Sequence, residues 1–106
     1  MPPVVRHLAG CLDDLGWVTD LLVAGSLATG DYIPGVSDLD LVAVTTDPVS
    51  QARQEVLAAL HRELDQGPAQ GLDLGCVYAD AGRLADPGAL HPTWTHGSLV
   101  QRSRPG

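Results

Sequence analysis

The sequence predicts a small α/β fold, α+β in its connectivity, in which a mixed β-sheet is flanked by helices. Three observations lead there. Two segments place apolar residues at helical spacing, three apolar runs of strand length lie around them, and glycine or proline separates nearly every one from the next. The chain has 106 residues, which is one small domain.

Val5, Leu8, Leu12 and Leu15 recur at spacings of three and four, so they share one face of a helix over residues 3–15. Pro2-Pro3 suits its start and Gly16 its end. Val18 to Ala24 is an apolar run bounded by Gly16 and Gly25, with Asp20 near its beginning, and it reads as the first strand. Gly30 to Gly35 reads as a loop. Leu39 to Thr45 is the second strand, apolar on both faces beyond Asp40 and hence central in the sheet.

Asp47-Pro48 resembles a helix start, with Asp47 as N-cap, and the helix runs from about Pro48 to Asp65. Val49, Ala52, Val56, Leu60 and Leu64 are expected on its apolar face; Arg53, Arg62 and Glu63 on its wet side. Gly67-Pro68 breaks it. Leu72 to Tyr78 is the third strand, with Asp73, Gly75 and Val77 on one face. Residues 81–88 read as a loop or a helical turn. Residues 1–90 are thus expected to form the core domain and 91–106 a C-terminal tail.

One stretch organises the rest: Ala24-Gly25-Ser26-Leu27-Ala28-Thr29-Gly30, then, after a loop, Ser37-Asp38-Leu39-Asp40-Leu41-Val42. Gly25 permits a tight turn and a close approach of backbone to ligand. Ser26 can cap a short helix and offer a hydroxyl to a phosphate oxygen, and a helix N-terminus attracts anions. Residues two apart in a strand share a face, so Asp38 and Asp40 point the same way with Cα atoms roughly 6–7 Å apart. Two such carboxylates repel unless a cation sits between them. Mg²⁺ suits that place, since it is a hard ion held by one or two carboxylates together with substrate phosphates.

Gly25-Ser26, eleven further residues and Asp38-Leu39-Asp40 resemble the pattern of the nucleotidyltransferase superfamily of DNA polymerase beta. The variant Gly-Ser-Leu-Ala-Thr-Gly…Ser-Asp-Leu-Asp-Leu is similar to bacterial aminoglycoside nucleotidyltransferases and to minimal stand-alone nucleotidyltransferase domains. The resemblance implies a Mg²⁺-dependent transfer of a nucleoside monophosphate, AMP from ATP, to a hydroxyl of a small molecule such as an aminoglycoside. Gly25 and Ser26 would hold the β- and γ-phosphates. Asp38 and Asp40 would hold two Mg²⁺ ions. The superfamily has a third acid on a neighbouring strand; Asp73 is the candidate, as metal ligand and as the base that takes the acceptor proton. The antibiotic-modifying relatives often carry Glu there, one methylene longer.

Two alternatives accompany that reading. Stand-alone domains of this kind can act as antitoxin-like partners that bind, and in some cases modify, a helical toxin. The antibiotic-modifying relatives also continue into a helical domain that completes the acceptor site, and a chain without one would be a nucleotide-binding fragment with little activity.

The formal net charge is −7, from thirteen acidic residues and six Arg with no Lys. No basic patch is visible, so nucleic acid is not the expected partner; the acidity suits a cationic acceptor. No apolar run reaches the roughly 18 residues of a membrane span, and Met1 to Arg6 lacks the apolar core of a signal peptide. A cytoplasmic protein with no membrane partner is therefore expected. Cys11 and Cys76 are far apart and read as small core residues. The four histidines show no metal-ligand spacing. His7 and His61 fall on helices as surface or packing residues, and His91, Trp94 and His96 are candidates to line the acceptor side of a cleft.

Overall fold

The computed structural model describes residues 3–24, 30 and 39–103. Gly25, Ser26 and Asp38 lie outside the described residues. Helix α1 is Pro3–Leu15, strand β1 is Val18–Ala24 and strand β2 is Leu39–Thr45, all with the expected limits. Gly16 ends α1 at a φ of 81°, and its amide donates back to the carbonyl of Asp13. Helix α2 follows at Gln51–Asp65, strand β3 at Leu74–Asp80, and a 3₁₀ turn at Ala81–Arg83. Strands β4 (Leu90–Thr95) and β5 (Ser98–Ser103) complete the order.

The five strands form one sheet in the order β1-β2-β3-β4-β5. β2 and β3 are parallel and joined through α2; every other neighbouring pair is antiparallel. The side chains of Leu39, Leu41, Ala43, Leu74, Cys76, Tyr78 and Trp94 are buried in one core with Val4, Val5, Leu8 and Leu12 of α1 and Leu57 and Leu64 of α2. Both helices therefore cover the same face of the sheet, and the other face carries Asp40.

Three segments differ from expectation: α2, β3 and the residues from 91 onward. The α2 helix begins three residues later than Asp47-Pro48 suggested. Ser50 is the N-cap, its hydroxyl accepting from the Arg53 amide, while Thr45 and Thr46 bond to Asp47 as part of the preceding turn. The buried face of α2 is also rotated: Leu57, His61 and Leu64 point inward, Ala52 is exposed and Val56 is 46% exposed. Arg53, expected on the wet side, lies 4.8 Å over the ring of Trp17.

The third strand is displaced by two residues, from the expected Leu72–Tyr78 to Leu74–Asp80. Leu72 is held instead in a turn, its amide donating to Ala69, and Asp73 stands just before the strand.

The residues read as a tail from 91 onward contribute a β-hairpin to the sheet. Trp94 is 1% exposed, stacked on the imidazole of His61 and bonded through its indole N–H to Asp65 at 3.1 Å. His96 and Gly97 make the hairpin turn, with φ angles of 49° and 80°, the paired positive values that two-residue hairpin turns favour.

Candidate active site on the open sheet face

Asp40 is the second residue of β2. It pairs with Ala24, the last residue of β1, on one side and with Gly75 of β3 on the other. Its neighbours Leu39 and Leu41 are buried under the helices, so alternation turns Asp40 to the face away from them, where it is exposed. Gly75 adds no side chain beside it: a Cβ there would lie 3.6 Å from Asp40 Oδ1. The carboxylate thus stands beside a side-chain-free position, at the strand end that pairs with Ala24, the residue before Gly25 in sequence.

Asp73 is also exposed. Its carbonyl accepts the Leu39 amide at 2.7 Å, which ties the residue before β3 to the first residue of β2. Asp40 and Asp73 therefore lie on neighbouring segments at the same end of the parallel pair. Among the described residues no group of three or more His, Cys, Asp or Glu could hold a metal ion. Asp65, at the end of α2, is close enough to Asp73 to feel its charge: burial first, and then Asp73, raise its pKa, while the Trp94 N–H opposes them.

The nucleotidyltransferase domain family matches residues 5–80. The chain belongs to that family. The match runs from α1 through β3 and takes in Gly25, Ser26, Asp38, Asp40 and Asp73; the β4–β5 hairpin lies beyond it. No curated protein matches the chain, and no solved structure does. The five-stranded mixed sheet with two helices is consistent with a nucleotidyltransferase core.

The other sequence candidates separate. Trp94 belongs to the helix-covered face and does not line the side of Asp40. His91 is 1% exposed with Nε2 unpartnered, and His96 is exposed in the hairpin turn. His61 turns out to be a core residue, 0% exposed, its Nε2 2.5 Å from the Tyr78 hydroxyl. Its place could have been found from sequence, since Leu57, His61 and Leu64 keep the four-three spacing of a buried helix face. Cys76 is fully buried and burial pushes its thiol up to about 12, whereas Cys11 is half-buried; both are free. Among the described residues no helix is long and apolar enough to cross a membrane.

Proposed function

We propose that this domain transfers a nucleoside monophosphate, AMP from ATP, to a hydroxyl of a small-molecule acceptor in a Mg²⁺-dependent reaction. The observation that carries the reading is the placement of Asp40: an exposed carboxylate on the sheet face away from the helices, beside a side-chain-free Gly75, within a chain of the nucleotidyltransferase family. A hard oxygen donor with open space before it suits Mg²⁺. Asp40 and Asp38 would hold the ions, with Asp73 as a further ligand. Bound there, Mg²⁺ supplies neutralisation of charge on the triphosphate.

The chain's own residues do the rest. Gly25 and Ser26 anchor the β- and γ-phosphates, which leave together as pyrophosphate. Asp73 accepts the proton of the acceptor hydroxyl as its oxygen bonds to the α-phosphorus. The work is positioning and charge stabilisation. A net charge of −7 favours a cationic acceptor such as an aminoglycoside.

The test is incubation of the full chain with each labelled nucleoside triphosphate, Mg²⁺ and a panel of aminoglycosides. The expected result is release of pyrophosphate with label transferred to one or more acceptors, strongest for ATP. Binding of Mg·ATP without turnover on any acceptor would reduce the function to nucleotide binding. Absence of both would overturn the proposal.

A further inference from the structure

The sheet face away from the helices carries a second feature behind Asp40. Leu22 pairs with Val42, Val42 with Val77, Val77 with Thr93, and Thr93 with Val100. These five residues form one continuous row across all five strands. The row lies two residues inward from the line of Ala24, Asp40 and Gly75, a step of roughly 6–7 Å. It contains no charge. Leu22 is 54% exposed, Val42, Val77 and Val100 are half-buried, and Thr93 is buried. One row further, Val44, Ala79 and His91 are buried, and the outer positions, Asp20 and Arg102, are exposed and charged. The apolar ledge next to the carboxylate is thus the β1–β3 part of the row, Leu22, Val42 and Val77.

We infer that Leu22, Val42 and Val77 form the platform on which the nucleobase of the substrate lies, an inference that rests on the nucleotidyl-transfer reading. A nucleotide held by its phosphates at Asp40 must put its base somewhere within the span of a ribose. Toward the interior of the sheet that place is the ledge. A flat, uncharged ring laid on aliphatic side chains removes apolar surface from water on both partners. Continuity of the ledge with the Asp40 row favours this occupant over one docked elsewhere on the face. Leu22, Val42 and Val77 offer no side-chain hydrogen-bonding group, so the platform holds any base about equally well and leaves discrimination to other residues.

The experiment compares Mg·ATP with Mg·tripolyphosphate, which has the phosphates and no base, by calorimetry on the full chain. Leu22→Ser alters an exposed side chain, and Val77→Thr is close to isosteric; melting curves confirm that each variant is folded. The expected result is roughly fivefold weaker Mg·ATP binding in each variant, the effect of about one lost methylene contact, with tripolyphosphate affinity unchanged. The loss is expected to be the same for GTP, CTP and UTP. Unchanged Mg·ATP affinity in Leu22→Ser, or equal losses for ATP and tripolyphosphate, overturns the platform while leaving nucleotidyl transfer standing. A wild-type chain that binds neither ligand removes both.

Discussion

The imidazole of His61 lies almost flat against the indole of Trp94, with ring centroids 5.1 Å apart and planes 16° from parallel. The two residues come from α2 and β4, so this contact joins the part of the chain that the family covers to the hairpin beyond it. Four residues along the helix, Asp65 accepts the indole N–H. Tyr78 closes the other side of His61 through its hydroxyl.

Acid should weaken the fold through His61. Burial lowers its pKa from 6.5 to about 4, and Nδ1 has no partner in the core. An unfolded chain binds the proton near pH 6.5, whereas the folded chain resists until about pH 4. Stability contributed by the neutral ring is therefore full above pH 7 and falls as pH drops from 6.5 to 4, by about 3 kcal/mol in all. Asp65, whose folded pKa is raised, works in the opposite direction, adding stability as pH falls through that pKa. Urea denaturation of wild type and His61→Gln across that range isolates the histidine: the difference in slope should vanish above pH 7.

Removing Trp94 should loosen the hairpin. Trp94→Ala deletes a side chain that is 1% exposed, at a cost of about 3–5 kcal/mol. Trp94→Phe keeps most of the stacking on His61 and loses the bond to Asp65, a net hydrogen bond worth about 0.5–1.5 kcal/mol. Denaturation midpoints should rank wild type, Phe, Ala. A Phe variant as unstable as Ala would mean that the N–H bond, and not the packed ring, fastens β4.

Asp40→Asn should abolish Mg²⁺-dependent ATP binding and leave the fold intact, because the side chain is exposed and of the same shape. Asp38→Asn is expected to do the same. Losing one of two repelling carboxylates should leave the melting temperature unchanged or slightly higher. Calorimetry with Mg·ATP checks this; wild-type affinity in both variants would remove the two-carboxylate site.

Asp73→Asn separates a base from a ligand. The amide keeps the shape and cannot take up the acceptor proton, so single-turnover transfer should fall by about 10²–10⁴-fold. Mg·ATP affinity should fall less than in Asp38→Asn. A wild-type rate would leave Asp73 as an exposed acid ahead of β3, with substitution effects within about ±0.5 kcal/mol.

The two thiols should differ in reactivity. Cys76 is fully buried with its thiol pushed up to about 12, so it is protonated and shielded at neutral pH. Cys11 is half-buried on α1. Mass spectrometry after iodoacetamide treatment should find one label on the folded chain, at Cys11, and two after denaturation. Rapid labelling of Cys76 in the native state would contradict the packing of β3 against the helices.

How much of this was legible in the sequence depended on what fixes each boundary. Gly16 and Gly25 bracket β1, and the turn from positive apolar spacing to Gly16 ends α1, so local chemistry alone set those limits. The start of α2 was misread because Asp47-Pro48 and Ser50 are both plausible caps; only the turn made by Thr45 and Thr46 with Asp47 decides for Ser50. The shift of β3 is a tertiary effect. Leu39 opens the parallel pairing opposite Leu74, so the start of β2 determines where β3 begins, whatever the preferences of Leu72 and Asp73. The hairpin was hidden by Pro92, which cannot donate to a ladder. β4 pairs with β3 at Thr93 and Trp94, on the side of Pro92 away from the strand's start, while Pro92 itself pairs with Gln101 of β5. At the site, the Asp40 face followed directly from strand alternation. The row behind it did not, because it is assembled from five strands and needs the register of each.

Strand order in the sheet follows chain order from first to last. Three of the four pairings are antiparallel, and the tightest of them, β4 with β5, closes across only His96 and Gly97. The β2–β3 pairing is different in kind. It cannot form until α2 has brought the chain back across the sheet, so it bears the larger loop-closure entropy. Since Asp40 and Gly75 meet only through that pairing, the floor beside Asp40 is complete only once the costlier of the sheet's closures has been made.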